Sequence, residues 1–235
     1  MTRMNEPDET NESRPALNVV PGVIITLLAV TAMATASFWV WDDVPDRVPV
    51  HFGIDGRPDR YGSKWEALAT VPIVALLVGL LMALVPLIDP RRQNLTTSGT
   101  FYYAVWIGVL AVISLTHAAL IVAALGSPEW VAPVIIAAVA ALMIVIGNFM
   151  GKTRSNFFLG FRTPWTLSSD YSWQRTHRIV GALYMAVGLA TGVALAFGGL
   201  MVATIVLAAG ILGATLLGVV LSYHFWRTDP ERHSS

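Results

Sequence analysis

Six apolar runs, at roughly 19–40, 68–88, 101–125, 131–150, 179–197 and 200–223, alternate with polar connections along this chain. A helix that crosses a bilayer needs about 20 mostly apolar residues, so each run predicts one transmembrane helix. Helix breakers fall at the ends of these runs. Pro21, Pro72 and Pro133 lie in the first residues of three of them, where a missing N–H costs little. Asp89–Pro90 and Ser127–Pro128 stop the runs before them. Gly198–Gly199 predicts a tight turn that makes a hairpin of the last two helices. The expected fold is an all-α membrane protein of six transmembrane helices. It divides into an N-terminal three-helix half (19–125), whose outer loop is 41–67, and a C-terminal half (126–226), whose inner loop is 151–178. Polar tails at 1–18 and 227–235 flank the halves.

Composition agrees with this pattern. Of 235 residues, 55% are hydrophobic and 13% charged, against roughly 25% charged in soluble domains, and the mean hydropathy is +0.63. The acid-rich first 18 residues lack the basic start and short apolar core of a signal peptide and read as a disordered tail. Net charge is zero, which gives no case for nucleic-acid binding. With no cysteine, disulfides, thiol chemistry and thiolate metal sites are excluded.

Lys and Arg in the connections set the orientation. With the N-terminus inside, eleven basic residues face the cytoplasm (Arg3, Arg14, Arg91, Arg92, Lys152, Arg154, Arg162, Arg175, Arg178, Arg227, Arg232). Only four (Arg47, Arg57, Arg60, Lys64) face outward, diluted by Asp42, Asp43, Asp46, Asp55, Asp59 and Glu66. Both termini are expected in the cytoplasm. Helix contacts in lipid favour small residues, and Gly188/Gly192, Ala32/Ala36 and the Gly210/Gly213/Ala214 cluster are candidate packing positions.

The loop 156–178, NFFLGFRTPWTLSSDYSWQRTHR, carries Phe157, Phe158, Phe161, Trp165, Tyr171 and Trp173. Six aromatics in a polar connection predict an ordered segment at the membrane surface. Both long loops follow the first helix of a half and lead into the second. Each sets Gly, Arg and Pro close together (Gly56-Arg57-Pro58; Gly160, Arg162, Pro164), with Trp65 or Trp173 downstream. Three helices per half give the halves opposite orientations, so an inverted 3+3 repeat is an expectation.

The run Gly160-Phe161-Arg162-Thr163-Pro164-Trp165-Thr166-Leu167, followed by Trp173 and Arg178, resembles the signature of the bacterial SdpI family. Ile146-Gly147-Asn148-Phe149-Met150 and Ser222-Tyr223-His224-Phe225 are also similar to that family. The segment around Val48-Pro49-Val50-His51-Phe52 and Asp55-Gly56-Arg57-Pro58 resembles the small domain of unknown function often attached to it. The resemblance implies six helices, no enzymatic activity, and immunity against a secreted, membrane-active toxin peptide. For the best-known member it also implies toxin sensing and sequestration of a cytoplasmic repressor.

Arg162 is the leading inner candidate. A guanidinium near the bilayer can hold a carboxylate or a lipid phosphate, or else hold loop carbonyls. Trp165 and Trp173 suit partner recognition or interfacial anchoring. Asn156 and Asn148 suit capping or helix cross-linking, and Gly160, Thr163, Pro164 and Arg178 complete the inner set. The outer set is His51, Asp55, Arg57 and Asp59, positioned to meet a peptide. Its spacing lacks the regularity of a metal site. His117, in mid-helix with Ser114 one turn earlier, and Asn148 are the intramembrane polar candidates. The sequence holds no nucleophile–base pair, phosphate loop or paired carboxylates. The expectation is therefore no enzyme and no cofactor; the resemblance implies a toxin peptide and a cytoplasmic repressor as partners, beside membrane lipids. The alternative is a small transporter or exporter of a peptide or amphiphile, although the apolar runs hold no acidic residue.

Overall fold

The computed structural model describes residues 17–233. The proposed tail lies, up to residue 16, outside the described residues. The elements in order are α1 (Val20–Trp39), β1 (Arg47–Phe52), β2 (Pro58–Ser63), α2 (Lys64–Ile88), α3 (Arg92–Thr97), α4 (Gly99–Ala124), α5 (Val131–Met150), α6 (Pro164–Ser168), α7 (Asp170–Phe197) and α8 (Gly199–Arg227). Helices α1, α2, α4, α5, α7 and α8 are long and apolar enough to cross a membrane. This is a multi-pass membrane protein.

Two boundaries differ from the hydropathy reading, for the same reason. Helix α2 starts at Lys64, where the Ser63 hydroxyl accepts from Glu66 N–H. Helix α7 starts at Asp170, capped by Ser169 through Ser172 N–H at 2.9 Å. Capping begins a helix in polar sequence, which an apolar window passes over. The 41–67 loop is also not wholly irregular. Strands β1 and β2 pair antiparallel from Arg47↔Ser63 to Phe52↔Pro58, with Gly56 at φ 78° in the turn. The 151–178 loop has another backbone form, an irregular stretch followed by α6 and the first turns of α7.

The early start of α2 moves Pro72 from a helix end to the interior, and Pro86 lies inside the same helix. Each proline leaves the carbonyl four residues earlier without its helical N–H. In an apolar interior such a group must find another donor. Ser37 of α1 donates to Leu68 O at 2.9 Å, and the Tyr102 hydroxyl of α4 donates to Met82 O. The two prolines therefore tie α2 to both neighbours.

Helices α1, α2 and α4 pack on one another, as do α5, α7 and α8, and α4 against α5 joins the two groups. Backbone meets backbone where Gly147 of α5 crosses Gly181 of α7, and a Cβ on Gly147 would lie 2.4 Å from Gly181 O. Gly79 meets Thr26, and Gly22 meets the Trp106 ring. Of the small residues expected at interfaces, Gly188 packs on Ala140 and Ile144, Gly210 packs on Val187, and Ala214 is buried. Ala32 and Ala36 are exposed, and Gly192 and Gly213 face open space. Abundant Ala and Gly produce the spacing by chance; only the crossing geometry selects among them.

Candidate functional site

The hairpin places the four residues of the outer set together but pairs them with one another. His51 Nδ1 lies 2.6 Å from Asp59 Oδ1, and both side chains are exposed. Asp55 Oδ1 accepts from the backbone N–H of Arg57 at 3.0 Å, an Asx turn closing the hairpin. The tip crosses to the other half: a Cβ on Gly56 would lie 2.5 Å from Leu200 Cδ2 and 3.3 Å from Ala132 Cβ.

The aromatic loop is a dense hydrogen-bonded unit. Asn156 is fully buried; its Oδ1 accepts from the N–H groups of Phe158 and Leu159, and its Nδ2 donates to Arg154 O. The chain then turns through Gly160 at φ 101°. Beyond the turn, the Phe161 N–H donates to His177 Nε2 at 2.8 Å, while His177 Nδ1 contacts Trp173 O at 2.7 Å. A carbonyl can only accept and an N–H can only donate. This assigns the neutral tautomer with the proton on Nδ1. The His177 ring stacks on Trp173 with centroids 4.0 Å apart, and Trp173 Nε1 donates to Thr153 O at 3.0 Å.

Thr163 caps α6 in a reciprocal box with Thr166, and Pro164 occupies the first turn. Thr163 Oγ1 donates to Ser222 Oγ of α8 at 3.0 Å, and the Trp165 ring meets Tyr223 edge-on at 5.2 Å. The fold thus brings Thr163-Pro164-Trp165 against Ser222-Tyr223, two runs far apart in the chain.

Arg162 is exposed and donates to Phe157 O at 2.8 Å, so its loop-carbonyl role is the one the geometry displays. Arg178 is exposed on α7 beside Gly151. Asn148 is exposed near the end of α5. His117 is buried and bonds to a neighbouring helix: its Nε2 lies 3.0 Å from Ser37 Oγ and 3.2 Å from Met33 O, both on α1. Among the described residues no cluster of His, Asp or Glu suits a metal.

The guanidinium that does organise the loop is Arg91, which the sequence showed only as a basic residue after a helix stop. It donates to Ser155 Oγ and to Leu167 O, the latter at 2.9 Å, with Phe157 against its face at 5.1 Å. Buried Asp89 accepts from Arg91 N–H and from Phe157 N–H, at 2.7 and 3.2 Å. Asn94 donates to Ser155 O, and Ser98 accepts from Arg154 N–H. The end of α2 and the start of α4 are therefore latched onto the loop between α5 and α7. A polar cavity of about 560 Å³ opens beside the latch, walled by Arg91, Asn94, Ser169, Asp170 and Asp229.

Comparison with known proteins falls on these same parts. Residues 152–222 match the model of the SdpI/YfhL protein family. This is an SdpI-family segment. A domain of unknown function, DUF1648, matches residues 27–76. Over 204 residues the chain is 21% identical to the immunity protein SdpI of Bacillus subtilis (strain 168), covering 87% of this chain and 95% of that protein. An uncharacterized protein of Archaeoglobus fulgidus is 30% identical over 66 residues, 26% of this chain and 36% of its own length. No solved structure matches. In the fold, the SdpI-family segment begins after α5 and ends at Ser222, so it contains the aromatic loop and α8 as far as Ser222, one residue short of Tyr223. The DUF1648 segment contains most of α1, the hairpin and the first half of α2.

Proposed function

We propose that this protein is an immunity protein of the cell membrane, protecting its host against a secreted, membrane-active peptide. The observation that carries this reading is the 21% identity to an immunity protein across 87% of the chain, in a protein with six helices able to span a membrane. Both termini lie in the cytoplasm, following the basic residues, which puts the hairpin outside and the aromatic loop inside.

The mechanism we favour runs through α2. Its first half flanks the outer surface, and its last residues lead into the Asp89–Arg91 latch on the aromatic loop. A peptide that binds one packing of α1 and α2 better than another shifts the population of that packing. Helix α2 then transmits the shift to the loop, where Trp165 and its neighbours present a face for a cytoplasmic repressor. Arg91 and Asp89 hold that face, and Arg162 lies on its exposed side.

The test is survival and membrane potential of a sensitive host exposed to the killing peptide, with membrane levels of every variant measured in parallel. Wild-type protein is expected to preserve the potential, and Arg91→Ala at equal membrane level to lose most of that protection. A wild type present in the membrane that gives no protection ends the immunity reading.

A further inference from the structure

Between α1 and α2 runs an apolar groove of about 600 Å³, walled from Val30 to Trp41 on one side and from Trp65 to Leu76 on the other. The eleven helical rises from Trp65 to Leu76 on the α2 wall span roughly 17 Å, about half of a ~30 Å hydrocarbon core. The groove therefore starts at the hairpin end and stops near mid-membrane. All of its wall lies within the DUF1648 segment.

Small side chains, Ala34 and Ala69, leave the space, and Phe38, Leu68 and Ile73 line it. The wall hydroxyl, Ser37, already donates to Leu68 O. Below the tryptophan pair at its mouth, the wall offers an occupant no free side-chain donor among the described residues, so the buried part of that occupant must bring its own backbone bonds satisfied, as a helix does.

The mouth has a different chemistry. Trp41 and Trp65 meet edge to face at 4.7 Å. Lys64 sits 5.0 Å over the Trp41 ring and pairs with Asp46 at 3.3 Å. Asp42 and Asp43, directly after Trp41, are exposed and have no ion pair among the described residues. The strip 41–47 holds these three carboxylates against one guanidinium, Arg47, so with Lys64 paired to Asp46 its balance stays negative.

We infer that this groove docks an apolar helical peptide segment that ends in a cationic group. The apolar face lies along α1 and α2 in the outer leaflet, and the cation meets Asp42 and Asp43 beside the tryptophan pair. Charge selects the peptide over an anionic phospholipid, whose phosphate the two carboxylates would repel. The inference rests on the immunity reading for the source of the peptide, and on the groove alone for its chemistry.

The experiment uses the full chain in phosphatidylcholine nanodiscs and a fluorescent Leu/Ala helical peptide of about 12 residues, long enough for the groove, ending in Lys. A second peptide ends in Glu. Saturable binding of the Lys peptide is expected, with Ala69→Phe, which fills the groove, weakening it about tenfold. Asp42→Asn with Asp43→Asn, at exposed positions that leave the packing untouched, weakens it roughly threefold or more at low salt and less at high salt. Equal affinity for the Lys and Glu peptides overturns the inference. So does undiminished binding to an Ala69→Phe protein of native stability. So does tryptophan quenching by brominated phosphatidylcholine that the peptide fails to relieve, because lipid is then the occupant. Host survival is scored separately. Binding without protection removes the immunity reading and leaves the groove assignment; protection without binding removes the groove assignment.

Discussion

The Ser37 hydroxyl of α1 occupies the place of the N–H that Pro72 lacks, donating to Leu68 O across the helix interface at 2.9 Å. His117 of α4 lies 3.0 Å from the same hydroxyl, so one serine joins three helices. Because Ser37 gives its proton to Leu68 and Met33 O can only accept, His117 Nε2 is the donor to both oxygens.

Removing that hydroxyl strands a buried carbonyl. Ser37→Ala is expected to lower stability in detergent by about 1–3 kcal/mol, the cost of an unsatisfied buried group. Pro72→Ala restores the N–H, so Ser37→Ala in that background should cost markedly less. A double-mutant cycle of denaturation midpoints measures the coupling, and simple additivity would refute it.

Gly160 is constrained twice, by its φ of 101° and by His177 Nε2, which a Cβ would approach to 2.4 Å. Gly160→Ala is expected to cost about 2 kcal/mol or more through strain and a displaced hydrogen bond. Gly192→Ala, on a helix with open space around it, is expected to be neutral or to stabilise by up to about 1 kcal/mol. Melting temperatures of the pair in one detergent decide the matter.

Arg91 outranks Arg162 in holding the aromatic loop, since it reaches two acceptors and a ring while Arg162 reaches one carbonyl from an exposed position. The absence of native cysteine makes a single introduced thiol an unambiguous reporter. With Leu159→Cys, at a buried position of the loop, as the probe, Arg91→Ala should raise the labelling rate roughly tenfold, as expected from losing about 1.4 kcal/mol of local stability. Arg162→Ala should change it little. Arg91→Lys should rescue only in part, because an ammonium lacks the fork that spans both acceptors.

Orientation is tested with the same chemistry. Tyr61 on the hairpin and Gln174 near the start of α7 are both exposed. In intact cells a membrane-impermeant thiol reagent is expected to label Tyr61→Cys and spare Gln174→Cys until the cells are opened. The reverse pattern inverts the topology.

Much of this protein is legible in its sequence because the bilayer imposes a one-dimensional rule. Six long apolar runs must become six helices when no water is present to satisfy the backbone, and the stops at Asp89–Pro90, Ser127–Pro128 and Gly198–Gly199 follow from backbone chemistry. The loop motif around Thr163-Pro164-Trp165 was equally visible, since aromatics and proline crowded into a polar segment have few other uses. The tertiary structure alone decided which of those residues matter to each other. Arg162 stood out in the sequence yet turns to solvent, whereas Asp89 and Arg91 looked like a helix stop and became the latch. Nothing in the sequence singled out His177, which gains its role because the chain turns at Gly160 and sets Phe161 N–H on its ring. Pro72 read as a harmless helix start until a serine cap moved the start of α2 to Lys64 and left Leu68 O needing a donor. The physical reason is the same in each case: hydropathy and propensity are properties of neighbours in the chain, while a buried hydrogen bond needs a partner that only the packing of distant helices can bring within 3 Å.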